Sequence, residues 1–174
     1  MMKKLFALSF ILIAFTAAAF SQSSASASAA ATIYAPITIT KNTNGDMDFG
    51  NLASSGTPGT CTLAPALSAD RTATGGVTLI TGGTPQAASF TVTGIIGEEY
   101  NVSFPQVETR VSDGSGHLME ISDWTSNSTG RIDGGSVTLY VGATLNIPFG
   151  QPAGVYTLTN SGGTGEFTIT VNYP

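Results

Sequence analysis

The sequence predicts an all-β fold, an antiparallel sandwich or barrel. Short runs in which apolar and polar residues alternate recur across residues 33–174, and glycine-rich turns separate them at spacings of about 8–12 residues. No apolar pattern of period 3.6 follows residue 32. Successive side chains of a strand face opposite ways, so each alternating run has one face that needs cover.

The first element is a targeting segment. Lys3 and Lys4 precede an apolar run over residues 5–15, and Ala19-Phe20-Ser21 supplies small residues at cleavage spacing, so residues 1–21 are expected to be a signal peptide. The run is shorter than the ~20 residues a spanning helix needs, so no membrane span is expected. Residues 22–32 are nearly all Ser and Ala without a periodic apolar face and read as a flexible leader. The sandwich domain is placed at residues 33–174.

Its first run sets Ile33, Ala35, Ile37 and Ile39 against Tyr34, Pro36, Thr38 and Thr40, and Pro36, lacking an amide donor, marks a strand entry or an edge. The cluster Asn42-Thr43-Asn44-Gly45 then turns the chain. Further runs are predicted at residues 47–52, 60–63, 77–80, 89–93, 100–104, 118–121, 137–141, 145–149 and 155–159. The closing strand covers residues 166–174, with Phe167, Ile169, Val171 and Tyr173 on one face and Thr168, Thr170 and Asn172 on the other. Burying those four apolar side chains is worth roughly 6–12 kcal/mol. A whole domain is stable by only about 5–15 kcal/mol, so this face must sit in a core of its own chain or a neighbour's.

Composition removes several functional classes. Beyond residue 21 the chain carries four basic residues (Lys41, Arg71, Arg110, Arg131) against eleven acidic ones, a formal charge of −7. Nucleic-acid binding requires clustered Lys and Arg, and these four are scattered. Cys61 is the sole cysteine, which rules out an internal disulfide; its alternating context reads as a small core residue.

Catalytic chemistry finds little support. His117, the one histidine, lies in Ser112-Asp113-Gly114-Ser115-Gly116-His117, which lacks the glycine two before Ser115 and the strand-to-helix context of a nucleophile elbow. One His and one Cys do not make a zinc ligand set. Asn42, Asn44, Asp46 and Asp48 place oxygens at alternate positions without the glycine and terminal Glu of a calcium loop, and Glu98-Glu99 reads as a solvated turn. No catalytic, metal or cofactor-binding residue is therefore assigned. Tyr100, Tyr140, Tyr156 and Tyr173 fall inside strand runs, whereas Trp124, in Ser122-Asp123-Trp124-Thr125-Ser126, stands as the candidate ligand contact.

The segments Pro36-Ile37-Thr38-Ile39-Thr40, Asp46-Met47-Asp48-Phe49-Gly50, Ala88-Ser89-Phe90-Thr91-Val92-Thr93-Gly94, Val141-Gly142-Ala143-Thr144-Leu145 and Gln151-Pro152-Ala153-Gly154-Val155-Tyr156, with the closing run to Tyr173, resemble the bacterial family called domain of unknown function 4402. That family consists of exported β-sandwich proteins and is similar to the pilin-type domains of chaperone-assisted fibres, in which a terminal strand carries a penultimate tyrosine, as Tyr173 does here. The resemblance implies an immunoglobulin-like, pilin-like sandwich that lacks one strand and receives an N-terminal strand from the next subunit. Ile33, Ala35, Ile37 and Ile39 are the candidate donor strand, and they serve equally as the domain's own first strand.

The function expected is that of an exported, non-enzymatic structural or adhesive subunit, a fibre component assembling by strand exchange. Its partners are copies of itself or related subunits and a periplasmic chaperone, and its location is the periplasm, the cell surface or outside the cell. The alternative is a self-contained secreted binding module that recognises a glycan or surface partner through loops around Trp124 and His117.

Overall fold

The computed structural model describes residues 23–174; the expected signal peptide, residues 1–21, lies outside them. The chain divides into two units, Met1–Ile33 and Tyr34–Pro174. In the first, residues 23–33 form no strand and are exposed. The second is an antiparallel β-sandwich with no helix among the described residues.

Its strands are β1 (Thr38–Lys41), β2 (Leu52–Leu63), β3 (Arg71–Leu79), β4 (Ala88–Thr93), β5 (Asn101–Ser103), β6 (Thr109–Ser112), β7 (Leu118–Ser126), β8 (Ser136–Ile147) and β9 (Thr170–Asn172). Seven of them form one sheet in the order β1-β4-β8-β2-β3, with β7 also beside β8 and β6 beside β7; β5 and β9 pair as a separate ladder.

β8 organises the molecule. Its residues of odd number, from half-buried Val137 through Leu139, Val141, Ala143 and Leu145 to Ile147, form one apolar face. Leu139 and Val141 belong to one core cluster, with Val92, Tyr100, Ile132, Ile169 and Val171. Ala143, Leu145 and Ile147 belong to the other, with Cys61, Val77, Val111, Met119 and Ile121. The first half of β8 pairs with β4, from Thr93↔Ser136 to Ala88↔Val141. The second half lies between β2 and β7.

Between the halves sits Gly142. A Cβ there would fall 2.2 Å from the Leu63 carbonyl oxygen and 2.8 Å from the Pro65 nitrogen. The glycine lets the end of β2 press onto β8 where its partner changes. The sequence reading divides residues 137–149 at this glycine; the structure runs one strand through it, because the missing side chain serves close approach and no turn forms.

Other differences have equally local causes. β6 is unforeseen, since Thr109-Arg110-Val111-Ser112 is too short to show a period. Residues 155–159 form no strand and contribute a single bridge, Ser112↔Thr157. The closing run keeps the expected alternation of burial throughout, with Ile169 and Val171 buried, Phe167 and Tyr173 half-buried and Thr168, Thr170 and Asn172 exposed. Only Thr170–Asn172 gains a ladder, because β5 offers three partners. Tyr173 ties this end to the β4–β5 connection, its hydroxyl accepting a hydrogen bond from the Ile95 N–H at 2.9 Å.

Replacing Gly142 by Ala should destabilise the domain by about 1–3 kcal/mol or more, because every atom facing the added methyl is backbone and cannot swing aside. At exposed Gly154 the nearest atoms to an added Cβ are 3.7 Å away, so G154A should stay within about 0.5 kcal/mol of the parent. Urea melts of the two variants compare them directly.

Candidate functional site

The structure divides the predicted donor strand. Ile37 and Ile39 are half-buried against the Val92/Ile169 cluster, and β1 pairs with β4 of the same chain from Thr38↔Thr93 to Lys41↔Phe90. Ile33, Tyr34, Ala35 and Pro36 lie outside any strand and are exposed, Ile33 at 95% and Tyr34 at 66%. The reason is β4, whose six residues give β1 no partner upstream of Thr38. The apolar phase of Ile33, Ala35 and Ile37 continues upstream through Ala25, Ala27, Ala29 and Ala31, set against Ser24, Ser26 and Ser28 and interrupted on that face by Ala30. That alternation is present in the sequence but escapes a reading that scores alanine as neutral.

The second feature is the C-terminal segment. The Tyr100 N–H donates to the Gly130 carbonyl at 2.9 Å, so in β5 the alternate residues Asn101 and Ser103 turn toward β9 and bond Asn172 and Thr170. Within β9, Val171 accordingly aims its N–H and C=O groups at the opposite edge. Among the described residues nothing bonds that edge, and the backbone of residues 166–169 makes no hydrogen bond at all.

β1 lies close to β9, with Cα atoms within 8 Å and no ladder between them. Ile37, Ile39, Phe167 and Tyr173, all half-buried, flank this seam. Lys41 stands near its end; the Asp46 hydrogen bond at 2.6 Å and the Asp46 charge hold its ammonium above the ordinary lysine range, with a smaller contribution from Glu166. On the β5 side of the same segment, residues 104–108 arch away and leave a half-open cleft of about 260 Å³, lined by Phe104, Pro105, Val107, Glu108, Phe167 and Thr168 among others.

Trp124, the expected ligand contact, is not displayed to solvent. It is half-buried, packs against both core clusters and meets Phe167 with ring centroids 4.8 Å apart at 47°. A bulge causes this. Ser122↔Thr144 is followed by Thr125↔Gly142, so two residues of β7 oppose one of β8, and Asp123 takes φ 49°. The extra residue shifts the phase and turns Trp124 inward.

The remaining polar candidates are turn devices. Asp113 Oδ1 accepts from the Ser115 and His117 N–H groups at 2.7 and 3.1 Å, and Oδ2 lies 2.7 Å from His117 Nδ1. Among the described residues no hydroxyl bonds the His117 ring, so Ser115 and His117 do not form a nucleophile–base pair. Burial works to raise the Asp113 carboxyl, and the Ser115 and His117 donors together outweigh it, leaving the group below the ordinary carboxylate range. Burial, aided by the Asp113 charge, pushes nearby Tyr156 up.

Asn42 accepts from the Thr91 hydroxyl at 2.7 Å and Asp48 from the Gly50 N–H at 2.6 Å, while Gln86 donates to the Asp46 carbonyl at 2.9 Å. These oxygens are spent on the turn, and no group of three or more metal-ligating side chains occurs among the described residues. Glu99 lies opposite Arg131 in an isolated backbone bridge, formed by the Tyr100 N–H on the Gly130 carbonyl and the Ile132 N–H on the Glu98 carbonyl. Cys61 is fully buried, and that burial pushes its thiol up, away from the reactive thiolate. Among the described residues no helix is long and apolar enough to cross a membrane.

The Asp113 turn makes a pH prediction. A carboxylate whose folded pKa is depressed adds stability above its unfolded value, about 4, and loses it as pH falls through the folded value. The melting-temperature gap between the parent and D113N should hold from pH 7 to about 5 and shrink below about 4. Thermal melts across that range check it, and a gap that stays constant to the lowest pH contradicts it.

A family model described as Domain of unknown function (DUF4402) matches residues 37–173. No curated protein and no solved structure matches the chain.

Proposed function

The chain belongs to the Domain of unknown function (DUF4402) family, and on that footing we propose that it is an exported, non-enzymatic structural or adhesive subunit of immunoglobulin-like, pilin-like type. It assembles by strand exchange, the leader acting as donor toward copies of itself or related subunits. A periplasmic chaperone is the partner that would shield such a leader before assembly.

One observation carries this reading. Residues 23–36 are exposed and make no strand, yet Ala25, Ala27, Ala29, Ala31, Ile33 and Ala35 stand at alternate positions, with Ala30 the one alanine on the other face, and Ile33 is almost wholly in water. An alternation of that length serves no purpose in coil; it suits pairing with an edge supplied from elsewhere. The cores support the same reading, since a sandwich whose C-terminal strand has one bonded neighbour leaves an edge for another chain. The inward position of Trp124 favours the subunit over the glycan-binding module, because the aromatic that would stack on a sugar ring is occupied by Phe167.

Size-exclusion chromatography with light scattering tests the proposal. The chain from residue 23 onward should form concentration-dependent assemblies, and deletion of residues 23–36, which leaves Ile37 and β1 in place, should reduce the mass to that of one folded chain. Assemblies that survive the deletion, or a parent that stays monomeric at every concentration, would refute it.

A further inference from the structure

We infer that the outer edge of β3 is a lateral contact between copies of this chain, in which β3 of one copy pairs antiparallel with β3 of a second about a twofold axis at Gly75. The contact uses neither the leader nor the C-terminal segment and stands apart from strand exchange.

β3 ends the seven-stranded sheet, with β2 as its one bonded neighbour. At the two ends of the β2–β3 ladder the Ala64 N–H donates to the Asp70 carbonyl and the Ile80 N–H to the Asn51 carbonyl. Alternation inward from both ends makes Thr72, Thr74 and Thr78 the residues that bond β2. Arg71, Ala73, Gly75, Val77 and Leu79 turn their N–H and C=O groups to the open edge, where no partner among the described residues meets them. The irregularity in the ladder falls on β2, where residues 55–58 separate Ser54 from Gly59, against Gly76 alone on β3. The edge therefore keeps one phase along the whole of β3.

This edge is unguarded. Edge strands are commonly protected by Lys, Pro or charges turned inward. β3 has no Lys, Pro or carboxylate, and its one charge, Arg71, turns its guanidinium back to the Phe49 and Asn51 carbonyls at 2.6 and 3.2 Å. In an acidic chain, an edge free of carboxylates lets two copies approach.

β3 is also complementary to itself. About the twofold, Arg71 falls opposite Leu79 of the second copy, Ala73 opposite Val77 and Gly75 opposite Gly75. Ala73, Val77 and Leu79 all belong to the Cys61/Leu145 core cluster, so the pairing lays the margin of one core against the margin of the other. On the outer face exposed Thr72 meets Thr78 of the second copy, a β-branched cross-strand pair. Gly75, at φ 62°, is the irregular residue, and the axis sets it against its own copy, where no Cβ opposes it. Leu67, 82% exposed, lies in the turn at the Arg71 end, and Ile80, 41% exposed, follows Leu79 at the other. Each Leu67 thus comes to the same end as Ile80 of the second copy. A register shifted by two residues would leave one of the five open residues of each copy unpaired.

One strand against one strand buries less than the ~1,200 Å² of a stable interface, so a single contact is weak. It gains strength where an assembly presents many β3 edges at once.

The test uses the chain from residue 37, which keeps all nine strands and both core clusters and lacks the leader, so strand exchange plays no part in it. Between about 10 μM and about 1 mM, amide NMR should show concentration-dependent shifts at Arg71, Ala73, Gly75, Val77 and Leu79 and none in the β5–β9 ladder. T72K/T78K, at two exposed positions, sets like charges opposite each other across the contact and should abolish the shifts, although it lowers the net negative charge. T72E/T78K sets Glu against Lys in both pairs, keeps the net charge of the parent and should tighten the association by about fivefold. Shifts at another edge, a parent unchanged at every concentration, or a T72E/T78K variant that associates no better than T72K/T78K would each overturn the inference. Strand exchange would stand in all three cases, because its own test reads the chain that carries the leader.

Discussion

The continuous apolar face of β8 is the constraint from which the rest of the molecule follows. A single strand of twelve residues carries the inward side chains Val137, Leu139, Val141, Ala143, Leu145 and Ile147, and these belong to two core clusters that otherwise share half-buried Met47 and Trp124. A strand has two edges, so the elements compete for places on it. β4 takes the first half, β2 takes the second on one side, and β7 takes the other. Gly142 resolves the competition by removing the one side chain that would hold β2 off. The outward face is left to hydroxyls that satisfy each other, Thr62 with Thr144 at 3.0 Å and Thr60 with Thr74 at 2.7 Å. A chain with 10% charged residues thereby stays covered in polar groups.

The two clusters differ in how completely they are closed. Around Leu145 the sheet continues on both sides, through β2 to β3 and through β7 to β6. Around Val92 and Val171 that sheet stops at β1 and the separate β5–β9 ladder stops at β9, with no ladder joining β1 to β9. The second cluster is thus finished in its centre and unfinished at one flank, and the flank coincides with both described ends of the sandwich unit. Under the proposed strand exchange, cover brought by another chain would complete the domain's own core at this flank.

Period-two alternation made the architecture legible. It located most strands, the turn at Asn42–Gly45 and the inward face of the closing run, since each depends on side-chain order along a few residues. What escaped depends on geometry between distant residues. Whether Gly142 marks a turn or a crossing is decided by Leu63 and Pro65. Whether Trp124 faces water is decided by the bulge at Asp123, which no local pattern announces. The division of residues 33–40 was equally hidden, because it is set by the length of β4. At the seam, the inward residues Phe167, Ile169, Val171 and Tyr173 were readable as a face, while the missing partner on their backbone edge was not, since an unmade hydrogen bond leaves no trace in sequence.

The energetics of such an edge dictate what must drive its occupation. A net hydrogen bond is worth about 0.5–1.5 kcal/mol, and fixing one residue of a flexible donor costs about 1–2 kcal/mol. An antiparallel or parallel neighbour makes on average one bond per residue along a shared edge, so at the middle of these ranges backbone pairing alone falls short by about 0.5 kcal/mol per residue. The surplus has to come from apolar cover. Under the proposed strand exchange that means Ile33 of the leader, whose burial is worth about 1.5–3 kcal/mol, together with further burial of half-buried side chains on the acceptor. The alanines add little energy but permit close approach. The backbone edge then specifies how a donor lies, and the few large side chains decide whether it stays.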